Sequence, residues 1–164
     1  DFDLFSSEEI MPALLAKVKS IFEDFSVTPS VNDSSEFTVF AGNVKITFLY
    51  YPYPIVQSLI LEHNFSLLSI QEIAATKAYT IGRRGSYKDY VDLYFVLKDN
   101  HVSLEEIIGI AEKKYGRDFN GRLFLEQLVY LDDIQDTEIL FLKEHVTKDH
   151  IGEFFVQRVQ ESKF

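Results

Sequence analysis

Polar and apolar residues alternate across DFDLF, from Asp1 to Phe5, with the period of a half-buried strand. Ser6 and Glu9 follow with capping-box spacing. Ile10, Leu14, Leu15, Val18, Ile21, Phe22 and Phe25 then recur at helical intervals, predicting a helix from about Ser7 to Asp24 with a first turn bent by Pro12. VTPSVNDSSE lacks either period and reads as a loop or turn. EFTVFA and NVKITFLYY alternate again, and the Gly42-Asn43 dipeptide between them marks a tight hairpin. Residues 51–66 are rich in Pro and Tyr and then irregular. From Ser69 onward the period is helical. Ser69 with Glu72, Ser86 with Asp89, and Ser103 with Glu106 supply start signals, giving helices near 70–82, 87–98, 104–115, 121–131 and 147–160.

This order predicts an α+β fold, a small mixed sheet packed on helices followed by a C-terminal helical bundle. The division expected is residues 1–66 for the α/β part and 67–164 for a compact helical part. No internal repeat or low-complexity tract interrupts it.

Composition narrows the functional classes. The chain has 164 residues, 46% of them apolar, enough to build a sizeable core. Its net charge of −10 and pI near 4.8 argue against general nucleic-acid binding, because phosphate repels such a protein at long range. With no cysteine, thiolate metal sites, disulfides and cysteine nucleophiles are excluded. The longest charge-free stretch, Thr47 to Leu61, is too short to span a bilayer and contains Pro52 and Pro54, so no membrane association is expected. The cytoplasm is the default location. The chain opens on Asp inside a strand pattern, and the expectation drawn from this is that an N-terminal portion is missing.

Two groups of residues carry candidate chemistry. Asp1 and Asp3, two apart on a strand, project toward one face, where a hard divalent cation could take both carboxylates and leave positions for phosphate oxygens. The alternative is a pair of solvated terminal acids. The second group lies in SIQEIAATKAYTIGRRGSYKDYVDLYFVLKD. Lys77, Arg83, Arg84 and Lys88 form a local positive island without an intervening acid, and Asp89 and Asp92 share a face of the helix that follows. A basic turn leading into a capped, solvated helix accounts for the same residues. Tyr50, Tyr51 and Tyr53 could stack a base, dock a partner or simply pack, and the four histidines have no partner at metal-ligand spacing. The acidic run LDDIQDTE reads as a solvated loop.

The stretch EIAATKAYTIGRRGSYKDYVDLYFVL resembles the signature of the AbiEii/AbiGii nucleotidyltransferase toxin family: a helix bearing Lys, a basic Gly-containing turn, then K/R-D-x-x-D-L. DFDLFS resembles that family's D-x-D-L-F strand, and VKITFLYYPYP its following strand. The likeness in order and spacing extends from residue 1 to about 98. It implies a nucleotidyltransferase-like fold. Asp1 and Asp3 would hold Mg²⁺ or Mn²⁺, Lys77 with Arg84 and Lys88 would contact the phosphates of an NTP, and Asp89 would be a functional acid. The resemblance further implies a toxin component of a toxin–antitoxin or phage-abortive system. Its partners would be a cognate antitoxin protein and an RNA acceptor such as tRNA. The family's Gly-Ser motif precedes D-x-D and is absent here, and Thr47 stands where a third metal-binding carboxylate is often found. These departures imply impaired NTP binding or, alternatively, a catalytically inactive interaction module of the same fold.

Overall fold

The computed structural model describes every residue except Asp136, Lys143, Lys163 and Phe164, and all but the side chain of Arg84. The chain forms two compact units, Asp1–Pro54 and Ile55–Phe164. Together they hold a small mixed sheet, a hairpin and, among the described residues, six α-helices, the α+β composition expected.

The first unit contains β1 (Phe2–Ser6), α1 (Leu14–Ile21), β2 (Val27–Asn32), β3 (Glu36–Ala41) and β4 (Val44–Tyr50). Sheet order is β1-β4-β3-β2, with β1 parallel to β4 and the other pairs antiparallel. Gly42, at φ +58°, supplies the left-handed residue of the two-residue turn between β3 and β4. Alternation sets the two faces of the sheet. Phe37, Val39, Ala41 and Ile46 are buried with Ile10 and Val18, and Leu14, Leu15 and Phe22 complete the cover from α1 and its flanks. On the opposite face Asp3, Thr47 and Thr38 stand in register across β1, β4 and β3.

Two sequence expectations fail in this unit. The helix expected from Ser7 begins only at Leu14. Ser6 Oγ accepts the Glu8 N–H at 3.0 Å, a local turn in place of a capping box, and Ile10 donates its N–H to the Ser34 carbonyl at 2.9 Å. The chain therefore bonds to the β2–β3 connection before it coils, and Pro12 lies outside the helix. VTPSVN, expected as a loop, is the edge strand β2. An edge tolerates Pro29, which has no N–H to donate, and the register shifts between Pro29 and Val31.

The second unit opens with β5 (Ile60–Glu62) and β6 (Phe65–Leu67), a short antiparallel hairpin in the segment expected to be irregular. The helices α2 (Ile70–Arg84), α3 (Tyr87–Lys98), α4 (Leu104–Tyr115), α5 (Gly121–Val129) and α6 (Lys148–Glu161) follow. A 3₁₀ turn, Gly116–Asp118, joins α4 to α5. α2 packs against α3, α4 and α5, and α6 packs against α3 and α5. Ile81, Tyr90, Leu93, Ile107, Phe124, Leu128, Ile151 and Phe155 are fully buried among them. Ser69, Ser103, Asn120 and Thr147 cap α2, α4, α5 and α6 by accepting backbone N–H groups, as their side-chain oxygens allow.

Glu72 departs from its expected role. Ser69 Oγ accepts the Glu72 N–H at 3.3 Å, but the Glu72 carboxylate does not reach back to the cap. It turns inward instead. Oε1 accepts the N–H groups of Val56 and Gln57 at 2.5 and 2.6 Å, and Oε2 pairs with Lys114 Nζ at 2.6 Å. This ion pair ties the entry of the unit to α2 and α4.

Candidate functional site

In the second unit the site is built on the α2–α3 turn. Lys77 lies midway along α2, and Ser86 is the residue before α3. The turn runs close over the Tyr90 ring: a Cβ on Gly85 would meet Tyr90 Cε2 at 2.9 Å and Ile81 Cα at 3.2 Å. Only glycine passes there without displacing the ring or the helix. The Tyr90 hydroxyl donates to the Gln127 carbonyl at 3.1 Å, which holds the ring in place. Burial, with the charges of Asp133 and Asp89 behind it, pushes the Tyr90 phenol up to about 12.

Asp89 is the third residue of α3 and reaches back to the turn. Its Oδ2 accepts the Ser86 N–H at 3.0 Å and the Ser86 hydroxyl at 2.8 Å. Its Oδ1 accepts from Lys77 Nζ at 2.8 Å. One turn further along α3, Asp92 Oδ2 lies 2.7 Å from the same ammonium. The three side chains differ in access to water: Asp89 is 12% exposed, Lys77 25% and Asp92 54%. Burial alone would raise the pKa of Asp89, but the hydrogen bonds from Lys77 and Ser86 and the Lys77 charge outweigh it and hold the carboxyl below its ordinary value. For Lys77 burial works toward a neutral amine, and the two carboxylates overcome it, leaving the ammonium above its ordinary pKa. Lys77 and Asp89 are thus ionised at neutral pH, and the Asp92 carboxylate lies against the same ammonium.

The Arg83 guanidinium stacks over the Tyr79 ring at 4.4 Å and donates to the Asp118 carbonyl at 3.1 Å. Lys88 is exposed in the first turn of α3. Arg84 lies in α2, and its side chain is outside the described residues.

In the first unit Asp3 sits on β1 and Asp1 immediately precedes that strand, both exposed. Thr47, buried, is the register partner of Asp3 on β4. Thr47 in turn faces Thr38, whose hydroxyl lies 3.4 Å from its own and donates to Glu36 Oε1 at 2.7 Å. Hydroxyls therefore occupy the positions beside Asp3. Among the described residues no group of three or more His, Asp or Glu side chains is spaced to hold a metal ion. The tyrosines after β4 form an edge-to-face series, Phe5 to Tyr51 at 5.3 Å and Tyr51 to Tyr53 at 5.4 Å. The acidic run that follows α5 shows exposed Asp132 and Asp133, with Asp136 outside the described residues.

The structure thus brings Lys77, Asp89 and Asp92 together in one unit, while Asp1 and Asp3 lie in the other. Glu72 and Lys114 were not legible as partners, since their pairing across 42 residues leaves no periodic trace.

A small mixed sheet followed by a helical unit that carries the Lys77–Asp89–Asp92 cluster defines an α+β protein. A family model described as "Nucleotidyl transferase AbiEii toxin, Type IV TA system" matches residues 1–160, and the chain belongs to that family. It is 25% identical over 173 residues to the Aquifex aeolicus (strain VF5) protein aq_aa25, described as uncharacterised, a match spanning 98% of this chain and 78% of that one. It also aligns with a crystal structure of a candidate nucleotidyltransferase from H. pylori at a TM-score of 0.45 and 14% identity, covering 97% of this chain and 78% of the other. Among the described residues no helix is long and apolar enough to cross a membrane.

Proposed function

We propose that the protein is a cytoplasmic toxin component that transfers a nucleotide from an NTP to an RNA acceptor, with tRNA as the acceptor class and a cognate antitoxin as its protein partner. Asp1 and Asp3 are assigned to a divalent cation, Lys77 to the phosphates of the nucleotide, with Arg84 and Lys88 as further cationic contacts, and Asp89 to the placement of Lys77. Family membership supports the reaction class. The observation that carries the residue assignment is the 2.8 Å bond from Lys77 to Asp89, which fixes an ionised ammonium at a defined point on the α2–α3 turn.

The donor set fits the cation. Asp3 on β1 and Asp1 just before it offer two exposed carboxylates, and hard divalent ions such as Mg²⁺ or Mn²⁺ take one or two carboxylates with the rest of the sphere left to water and phosphate. When bound, such an ion neutralises charge that develops on the transferring phosphoryl group. The remaining work falls to the chain itself. Asp89, buried and bonded to Ser86, keeps Lys77 charged and oriented. The ammonium then offers fixed positive charge to a polyphosphate without reorganising during the reaction.

A second reading, an inactive module that binds a protein partner, is favoured by Thr47, because a neutral hydroxyl beside Asp3 is a weaker ligand for Mg²⁺ than a carboxylate. Incubating the protein with radiolabelled NTPs, Mg²⁺ or Mn²⁺ and total RNA distinguishes the two. Label entering RNA with the wild type and lost in Asp3→Ala supports the enzyme; equal labelling by both forms rejects the metal role of Asp3.

A further inference from the structure

Lys77 is held by two carboxylates of unequal standing. Asp89 is mostly buried and cannot leave without stripping the Ser86 N–H and hydroxyl of their acceptor. Asp92 is more than half exposed, and Lys77 at 2.7 Å is the contact that fixes it. Water regains most of its carboxylate if that contact opens, so the cost of parting is that of an exposed ion pair. While both contacts stand, the Lys77 ammonium is shared between two carboxylates, and a phosphate oxygen takes its place on that ammonium only by displacing one of them. Resting on the assignment of Lys77 to nucleotide phosphates, we propose that Asp92 is an exchangeable gate for that lysine. It holds the ammonium in the resting protein and yields its place to a phosphate oxygen, while Asp89 remains as the fixed anchor.

Release leaves Asp92 with another cation on its own helical face. Lys88, exposed, stands four residues earlier on α3, the spacing at which side chains meet. The two acids of K-D-x-x-D thus have different tasks. Asp89 positions Lys77, and Asp92 competes with the ligand and tunes affinity for it.

A mutant cycle read by calorimetry with inorganic tripolyphosphate, at low ionic strength and without metal, tests this. The forms compared are the wild type, K77M, D92N and K77M/D92N, with D92E as the conservative variant. Asp92→Asn is expected to bind tripolyphosphate about two- to fivefold more tightly than the wild type, the range set by losing one exposed ion pair. Asp92→Glu should stay near the wild type, and the gain should vanish when Lys77 is already Met. An equal gain in both backgrounds means only that one negative charge has been removed from the surface, and overturns the gate. No gain in D92N, with weakened binding in K77M, also overturns the gate but leaves the phosphate role of Lys77 standing. Binding that is indifferent to K77M, or absent from wild type and D92N alike, removes the phosphate role and the gate with it.

Discussion

Lys114 Nζ lies 2.6 Å from Glu72 Oε2, with 1% and 0% of the two side chains exposed. A buried pair of this kind is costly to form and costlier to break, because removing one member strands an uncompensated charge. Lys114→Met alone is expected to destabilise the protein by about 3–5 kcal/mol in chemical denaturation. Combining it with Glu72→Gln removes both charges while keeping an amide oxygen for the Val56 and Gln57 N–H groups. The double variant should therefore be more stable than K114M by itself. A double variant less stable than K114M would show that the Glu72 charge is satisfied without Lys114.

Gly85 is set by contact, since its φ of −40° is open to other residues. The Cβ of Gly85→Ala would fall 2.9 Å from the Tyr90 ring, whose hydroxyl is anchored on the Gln127 carbonyl. Thermal unfolding should show a loss of about 1–3 kcal/mol, the usual cost of overpacking. A shift of the Tyr90 ring should be visible by NMR. An unchanged melting curve would mean that the turn yields freely.

Acid and alkali should act on the Lys77 cluster from opposite sides. The folded-state pKa of Asp89 lies below its ordinary 3.8, so the stability it contributes is present above that value and is lost as pH falls through the folded value. Lys77 lies above its ordinary 10.5, so its contribution is complete below that pH and is lost as pH rises through the folded value. Asp89→Asn should cost about 1.5–3 kcal/mol at neutral pH, the value of a charge-assisted hydrogen bond, and should flatten the acid limb of the stability curve. An acid limb identical to the wild type would separate Asp89 from acid denaturation.

Much of this was legible in the chain. The alternation of Asp1–Phe5, EFTVFA and NVKITFLYY marked three of the four strands of the main sheet, and the serine caps placed α2 to α4 nearly to the residue. β2 was hidden because Pro29 and the polar residues around it describe a loop equally well, and only pairing with β3 on the edge decides otherwise. The late start of α1 was hidden because Ile10 keeps helical spacing while its backbone bonds to Ser34. For the candidate site, Asp89 and Asp92 were visible as acids on one helical face, but their common partner was not. The spacing of Lys77 from them depends on how α2 meets α3, a tertiary relation that periodicity does not encode. The partners of Arg83 were hidden for a similar reason, as it meets Tyr79 and the Asp118 carbonyl only after folding.

Transfer of labelled nucleotide to RNA, measured with wild type, Asp3→Asn and Lys77→Met under the same metal and NTP, tests the central claim most directly. A drop of about 100-fold or more in each variant, with thermal stability near the wild type, is the predicted result. Undiminished transfer in either would contradict it.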